Sequence, residues 1–260
     1  LYVQLIQDII NFIKTNGYSF KVYFLIVDEP ANSQKLTEDA ITLCKLVKSR
    51  VKDVLLYETL HTQTLHKIGP FVDACMIYAQ HVNQENINAI KEMKKQLWSD
   101  NGGSMGPDYR IDRLYTGFYQ YRAGGKAIGQ WAYMWPKGPD AYDDFNPRNR
   151  GGAHAGEYYA LPSSEGPKDT PGIEGFRDGI YDYMYIYTLE KTVENIKKSG
   201  NREKIKEAQA IMEEVKKEIL EVIPVQYSPN FVRKESFQPD TLEAWRWKIA
   251  QKIMALENLK

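Results

Sequence analysis

Continuous apolar runs alternate with amphipathic segments along the first half of the chain. Apolar runs that are rich in Val, Ile and aromatic residues are typical of strands buried on both faces of a parallel sheet. Such runs lie at 22–28, 54–57, 72–78, 96–98 and 127–135. The segments between them place apolar residues at helical spacing, as at Leu36, Ala40 and Leu43. The pattern therefore predicts βαβ units that contribute five parallel strands.

Helical periodicity also predicts the elements outside these strands. Helices are expected over 1–15, from 33 onward, over 86–97, 110–122, 171–198 and 202–222, and after Asp240. Asn32 or Ser33 is the expected N-cap of the second helix, and Pro171 is expected to open the long one. The stretch 61–68 fits a turn or a short helix. Residues 136–172 are rich in Gly, Pro, Asp and Asn, so a long loop is expected there.

The predicted fold is α/β, a (β/α)8 barrel of the TIM type, of which this chain carries about the last five βα units. A closed barrel of this kind has eight strands. The helix at 1–15 starts in mid-pattern, so an N-terminal segment or a second chain is expected to supply the first three strands. Residues 1–200 are expected to form the later part of the barrel, and residues 201–260 a C-terminal helical extension packed on it. The alternative is an open, doubly wound five-stranded sheet, although no glycine-rich phosphate loop makes it a nucleotide binder.

Composition narrows the classes of partner. The 34 lysines and arginines balance 34 aspartates and glutamates, so no net charge favours nucleic acid or an anionic membrane. No apolar stretch is long enough to span a bilayer, and no cofactor is expected. Cys44 and Cys75 lack the spacing of a zinc or redox motif. Each lies in an apolar pattern, so both are expected to be buried free thiols.

Asp28 and Glu29 follow the first apolar run and are the candidate catalytic pair. Pro30 is expected to end the strand, because proline cannot continue the hydrogen-bond ladder, and α/β barrels place their chemistry at the carboxyl ends of strands. Hydrolysis of a glycosidic bond needs an acid to protonate the leaving oxygen and a group that stabilises the cationic sugar. Two neighbouring carboxylates can divide these roles if their pKa values differ. The alternative is a charged strand end, with Asp28 capping the next helix and Glu29 solvated.

Aromatic residues crowd the other strand ends and predict a sugar-binding surface. Sugar rings stack their C–H faces on aromatic side chains, while their hydroxyl groups need polar partners. The candidate substrate-binding aromatics are Tyr57, Tyr78, Trp98, Trp131, Tyr133 and Trp135, and the candidate polar partners are Glu58, Gln80, His81 and Asp100. About half of the aromatic set is expected to be core instead.

Other residues leave alternatives for the chemistry. The chain has the histidines His61, His66, His81 and His154. Their spacing is neither HxH nor HExxH, so no metal site is expected, and there is no GxSxG motif of a serine hydrolase. Asp100 could instead pair with Glu29 in a two-carboxylate retaining glycosidase that acts on another sugar, a mechanism that needs the two carboxylates about 5 Å apart. A non-catalytic carbohydrate-binding barrel is a further alternative. Arg177, Asp178 and Asp182 favour structural ion pairs.

Phe24–Pro30 (FLIVDEP) and Gly129–Trp135 (GQWAYMW) resemble the catalytic barrel of glycoside hydrolase family 123 and its relatives. So do Tyr158–Pro167 and the helix segment Glu174–Tyr183 (EGFRDGIYDY). Together the matching motifs span about 22–190 of the chain. The resemblance therefore covers both the predicted strands and the long helix that follows them.

The resemblance implies β-N-acetylgalactosaminidase-type removal of a terminal 2-acetamido sugar, in which the acetamido oxygen of the sugar attacks C1. Glu29 would then be the general acid/base, and Asp28 would orient the acetamido group and stabilise the oxazolinium ion. The configuration would be retained without a protein nucleophile, an exception to the two-carboxylate scheme. The implied partner is a glycan or oligosaccharide, and the resemblance alone favours an extracellular or periplasmic location.

Overall fold

The computed structural model describes residues 1–100, 108–130, 133, 159–198 and 200–257. Two compact units divide the chain. The first is Leu1–Asp100 with Gly125–Gly129, and the second is Asn101–Gly124 with Gln130–Lys260. The predicted domain boundary at residue 200 stays a prediction.

The first unit contains one parallel sheet whose strands follow chain order. The strands are β1 (Tyr23–Leu25), β2 (Leu55–Leu60), β3 (Ala74–Tyr78), β4 (Gln96–Asp100) and β5 (Ala127–Gly129). A doubly wound sheet reverses its strand order at a switch point, and these five strands do not. The sheet is a curled half-barrel, as expected for part of a TIM-type fold, while the closed eight-stranded barrel stays a prediction.

Four helices of the first unit connect or precede these strands. They are α1 (Tyr2–Thr15), α2 (Gln34–Arg50), α3 (Thr62–Ile68) and α4 (Gln84–Glu92). Ser33 caps α2 by accepting the N–H of Leu36, as one of the two predicted caps. The ambiguous stretch 61–68 is helical. The helix expected over 86–97 ends at Glu92, because Lys94 adopts a left-handed backbone and Gln96 already begins β4.

The two faces of the sheet differ in burial. Leu56, Leu60, Cys75 and Ile77 are fully buried on the helix-covered face, and Leu97 lies with them. The opposite face, called the open face below, carries Tyr23, Leu25, Tyr57, Thr59, Met76, Tyr78, Trp98 and Asp100. Most of its side chains are half-buried, and their burial on both faces of the strands, which depends on closure of the barrel, stays a prediction. Helices pack on one face of the sheet, and alternate side chains project to the other.

Strand lengths also differ from the predictions. β1 stops at Leu25 instead of residue 28, and β5 stops at Gly129 instead of residue 135. β2 and β4 run further than expected, to Leu60 and Asp100. The apolar run at 22–28 continues beyond the last residue of β1, whereas β2 and β4 continue past their apolar runs into polar residues, so hydrophobicity alone placed the ends of the strands wrongly.

The second unit is mainly helical. Its elements are α5 (Tyr109–Leu114), a π-helical turn (Tyr115–Tyr119), α6 (Gln120–Ala123), an antiparallel pair of short strands, β6 (Ala160–Leu161) and β7 (Lys168–Asp169), α7 (Pro171–Lys198), α8 (Arg202–Val215) with a π-helical turn (Lys216–Leu220), and α9 (Thr241–Glu257). The structure describes the predicted loop at 136–172 only from residue 159 onward, and this part includes the hairpin of β6 and β7. No helix among the described residues is long and apolar enough to cross a membrane.

A buried ion network joins three helices of the second unit. Asp182 of α7 is fully buried and receives two bonds from Arg113 of α5, at 2.8 Å from Nε and 3.1 Å from Nη2. Nε of Arg246 in α9 reaches the same carboxylate at 2.5 Å, and Arg246 also binds Asp178. The predicted structural ion pairing of Asp178 and Asp182 is confirmed. Arg177 pairs at the surface with Glu174 and Asp169.

Candidate active site

Asp28 and Glu29 lie just beyond the carboxyl end of β1, as the sequence predicted, and both are exposed. Glu29 has φ 45° and ψ 57°, a left-handed conformation that is uncommon for a residue with a side chain. The short 3-10 turn Pro30–Asn32 follows at once. Such backbone strain costs on the order of 1 kcal/mol and is concentrated at functional sites. The carboxylates therefore stand on a tight turn that leaves the sheet.

Side chains, and not the strand ladder, hold the backbone between β1 and this turn. The hydroxyl of Tyr2 donates to the carbonyl of Leu25 at 2.8 Å. The N–H groups of Ile26 and Val27 donate to Oε1 of Glu58 at 3.2 and 3.1 Å. The N–H of Glu29 donates to Oγ1 of Thr59 at 3.2 Å. Because these groups find their partners outside the ladder, β1 is only three residues long.

Two side chains fix the carboxylate of Glu29. The hydroxyl of Tyr78 donates to Oε1 at 2.9 Å, and Nδ2 of Asn32 donates to Oε2 at 2.7 Å. The bonds from Asn32 and Tyr78 lower the pKa of Glu29, burial opposes them, and the nearby His61 adds a lesser lowering effect. The sequence pattern predicts Asn32 only as a candidate helix cap. Its spacing of three residues from Glu29 was the signal available for this contact.

Aromatic rings line the open face beside the carboxylates. The ring of Trp98 lies 5.1 Å from that of Tyr57 and 4.7 Å from that of Tyr23, measured between centroids. Nε1 of Trp98 donates to Gln96, and Gln96 donates to the hydroxyl of Tyr23. Two predicted substrate-binding residues, Tyr57 and Trp98, are thus neighbours on one surface. Tyr23 joins them, although the sequence assigned it only to a buried strand.

A histidine pair adjoins Tyr78 at the carboxyl edge of the sheet. The ring of His61 lies 5.0 Å from that of Tyr78 and 4.9 Å from that of His81. Nδ1 of His81 lies 3.3 Å from Oγ1 of Thr62. Burial, together with the neighbouring His61, lowers the pKa of His81. His81 was predicted as a substrate contact, whereas His61 was not, although its position directly after β2 placed it at the same edge.

Asp100 ends β4 on the open face, opposite Tyr78 in the register of β3 and β4. It is 8% exposed, and it adds to the burial of Tyr78 and the bond to Glu29 in raising the pKa of that hydroxyl. Gly129 of β5 lies beside it, where an added Cβ would stand 3.3 Å from Oδ1 of Asp100 and 2.7 Å from the Met76 side chain. Asp100 therefore lies on the same face as Tyr78, and the two-carboxylate alternative stays open.

Glu58 does not lie with the other candidate polar partners. It alternates with Tyr57 on β2, so its side chain points to the helix-covered face, where it is 0% exposed. Burial raises its pKa to about 7, against the opposing effect of the bonds from Val27 and Ile26. The expectation that Glu58 meets a sugar hydroxyl on the open face was therefore wrong. Its Oε1 accepts the N–H groups of Ile26 and Val27 from the backbone that precedes Asp28, and the thiol of Cys44 donates to the same oxygen at 3.9 Å.

The remaining candidates fall elsewhere. Tyr133 belongs to the second unit and is 52% exposed, and its carbonyl accepts the N–H groups of Tyr159 and Ala160. Trp131, Trp135 and His154 lie outside the described residues. Cys44 and Cys75 are buried free thiols, as predicted. Within the described ranges, no three His, Cys, Asp or Glu residues cluster in a way that could hold a metal ion.

Comparison with known proteins places this arrangement in context. The family model for the glycoside hydrolase 123 catalytic domain matches residues 1–189. A family 123 glycoside hydrolase from Clostridium perfringens, described for glycolipid glycan hydrolysis, superposes with a TM-score of 0.56 at 10% identity. That match covers 99% of this chain and 45% of the other, so the chain spans about half the length of that enzyme. At such low identity the likeness extends to the fold alone. None of the curated proteins matches this chain.

Proposed function

The chain belongs to the glycoside hydrolase 123 catalytic-domain family, and from that premise we propose that it removes a terminal 2-acetamido sugar at the carboxyl end of β1. The observation that carries the proposal is the fixed carboxylate of Glu29. Tyr78 and Asn32 hold both of its oxygens, while Asp28 stands next to it. The aromatic pair Tyr57 and Trp98 on the open face supplies a surface for the sugar ring.

The proposed reaction has two steps. In the first, the acetamido oxygen of the sugar attacks C1 and the C1–O bond to the leaving group breaks. Glu29 donates its proton to the leaving oxygen, and Asp28 orients the acetamido N–H and stabilises the positive charge of the oxazolinium ion. In the second, Glu29 accepts a proton from water as the water oxygen attacks C1 and reopens the ring. Two inversions at C1 leave the configuration retained.

The environment of Glu29 sets a condition on this mechanism. A general acid must carry a proton, and the bonds from Asn32 and Tyr78 favour the ionised form. In the free protein, only the protonated fraction is competent for the first step, and this fraction falls tenfold for each pH unit above the pKa. The proposal therefore includes an acidic pH optimum. A sugar that displaces the amide of Asn32 on binding would raise the pKa of Glu29 and relax this condition.

The second candidate is a two-carboxylate glycosidase that pairs Glu29 with Asp100. The observation that favours it is the position of Asp100 on the open face beside Tyr78. In this mechanism a carboxylate attacks C1, so the substrate needs no acetamido group. A third candidate, a carbohydrate-binding barrel without turnover, rests on the aromatic pair alone.

Aryl glycosides with and without a 2-acetamido group, assayed on the intact protein, separate these candidates. We expect turnover only of the acetamido substrates, a fall in kcat of about a hundred- to ten-thousand-fold in Glu29→Gln, and a fall of similar order in Asp28→Asn. Glu92→Gln, which changes an exposed carboxylate at the end of α4, is the matched control and should match the wild type. Activity of Glu29→Gln near that of the wild type would refute the proposal.

The other outcomes assign the alternatives. Turnover of sugars that lack the acetamido group, abolished by Asp100→Asn, would support the two-carboxylate mechanism. Sugar binding that is weakened by Trp98→Ala, with no turnover of any substrate, would support the binding barrel.

We also infer that further strands complete the sheet. β1 and β5 are its edge strands among the described residues, and an exposed parallel edge pairs readily with another strand. A preceding segment or a second chain that covers the edge of β1 would close the barrel. Co-expression with such a segment should raise the midpoint of thermal unfolding. A cooperative, monomeric melt of the 260 residues alone, unchanged by the added segment, would contradict this inference.

A further inference from the structure

We propose that Glu58 is a positioning residue for the reaction: its buried carboxylate clamps the backbone of Ile26 and Val27 and so determines where Asp28 and Glu29 stand. The inference about catalysis rests on the proposed function, whereas the clamp itself can be tested without any substrate. Glu58 projects to the helix-covered face and is 0% exposed, so any effect on a sugar bound at the open face would pass through the main chain.

The geometry of the two hydrogen bonds carries the proposal. In a strand, successive N–H groups point to opposite sides, so two adjacent N–H groups cannot both face the same neighbouring strand. The N–H groups of Ile26 and Val27 nevertheless both reach Oε1 of Glu58, at 3.2 and 3.1 Å. The chain must therefore turn out of the strand direction immediately after Leu25. One carboxylate oxygen on β2 thus marks the point where β1 becomes the turn that carries the candidate catalytic pair.

Burial makes this contact difficult to replace. Glu58 is 0% exposed on the helix-covered face, and among the described residues its Oε2 has no hydrogen-bond partner. An acidic side chain in such a place has a large desolvation cost unless it is hydrogen-bonded, and the two N–H groups on Oε1 supply those bonds. Without an acceptor there, the two N–H groups would be unsatisfied and would seek water. The turn would then relax, because little besides Thr59 holds its backbone to β2.

Neighbouring contacts extend the same restraint toward the carboxylates. Tyr2 holds the carbonyl of Leu25 before the clamp, and Thr59 holds the N–H of Glu29 after it. Thr59 follows Glu58 on β2 but projects to the open face. Two successive residues of β2 therefore restrain the segment from both sides of the sheet. A shift of this segment would move Glu29 relative to Tyr78, which belongs to β3 and would stay in place.

The test compares three substitutions of Glu58 in the intact protein. Glu58→Leu removes the acceptor, Glu58→Asp keeps the charge but shortens the reach by one carbon, and Glu58→Gln keeps an oxygen at the same reach. We expect kcat to fall on the order of a hundredfold in Glu58→Leu, since a displacement of about 1 Å at a reacting group costs that much. KM should change little, because the aromatic surface is untouched. Glu58→Asp should lose kcat as well, and Glu58→Gln should recover most of it.

A structural readout accompanies the kinetics. Amide hydrogen exchange at Ile26 and Val27 should speed up markedly in Glu58→Leu and Glu58→Asp, and little in Glu58→Gln. Leu97→Ala, which creates a cavity on the same helix-covered face but on β4, is the matched control for a general loss of stability. It should leave both the exchange of these two amides and kcat close to wild type.

The outcomes that overturn the proposal are distinct from failure of the proposed function. Unchanged exchange at Ile26 and Val27 in Glu58→Asp would show that Glu58 does not hold the segment. Faster exchange with wild-type kcat in the same variant would show that the clamp does not position the reaction. If Glu58→Leu does not fold, Glu58→Asp and Glu58→Gln still show whether Glu58 holds the segment and whether this contact affects kcat. A wild-type protein without glycosidase activity would refute the proposed function, while the exchange data would still decide the clamp.

Discussion

The hydroxyl of Tyr78 donates a hydrogen bond of 2.9 Å to Oε1 of Glu29, across 49 residues of sequence. This bond stabilises the carboxylate form of Glu29, so it lowers the pKa of Glu29 and contributes to the raised pKa of Tyr78. A residue of β3 thus influences the protonation of the candidate general acid that follows β1. The same bond ties the strained turn at Glu29 to the open face of the sheet.

Tyr78→Phe should shift the pH dependence of kcat/KM. Loss of a donor to the ionised form raises the pKa of Glu29, so the protonated acid persists to higher pH. The alkaline limb of the profile should move to higher pH, whatever happens to the maximum rate. Tyr18→Phe, at an exposed tyrosine after α1, is the control and should leave the limb in place. A limb that stays fixed, or moves to lower pH, in Tyr78→Phe would argue against Glu29 as the acid.

Glu58 should make the wild-type protein less stable as pH rises toward neutrality. Its pKa is about 7 in the folded protein against a usual value of 4.5. Between these values the folded state holds a proton that the unfolded state has released, so raising the pH favours unfolding. The loss should reach up to about 3 kcal/mol by pH 7 and then level off.

Unfolding by urea at several pH values between 5 and 8 measures this effect. The difference in unfolding free energy between Glu58→Gln and the wild type should shift in favour of the variant as the pH rises to about 7, because glutamine does not titrate. Parallel curves for the two proteins over this range would show that Glu58 does not carry the dependence.

Asp182→Ala should strongly destabilise the second unit. The change leaves the buried Arg113 and the half-buried Arg246 without the carboxylate they share. Removing one partner from a buried ion pair typically costs about 3–5 kcal/mol. The midpoint of chemical unfolding measures the loss, and Glu194→Ala, which breaks the exposed pair with Lys191, is the control that should show no measurable change. A small effect of Asp182→Ala would contradict a stabilising role for this buried ion network.

Gly179→Ala should separate α5 from α7. An added Cβ would stand 2.6 Å from the carbonyl oxygen of Arg113 and 2.8 Å from Cβ of Thr116. Both are closer than atoms can approach, so the helices must move apart, at a cost of about 1–3 kcal/mol that exceeds the gain in helix propensity. Thr188→Ala, on the exposed side of α7, should be neutral or slightly stabilising. Equal stability of the two variants would contradict the close packing of these helices.

The sequence by itself determined the order and type of the main elements and the place of the candidate catalytic pair. Runs such as 22–28 and 72–78 and the spacing of Leu36, Ala40 and Leu43 are local patterns, and short-range sterics and burial are enough to convert them into strands and helices. The adjacency of Asp28 and Glu29 to the end of the first run needed nothing further. The family resemblance, confirmed by the match over 1–189, rested on the same local motifs.

Only the tertiary structure decided which side chains meet. Tyr78 reaches Glu29 because β3 and the turn after β1 end at the same edge of the sheet, and no local pattern encodes the register between strands. Glu58 looked like a sugar contact because it is polar and near a strand end, yet its alternation with Tyr57 turns it to the opposite face. Side chains project alternately from a strand, so one position in the sequence separates a residue that can meet a sugar from one that can only hold the backbone beneath it.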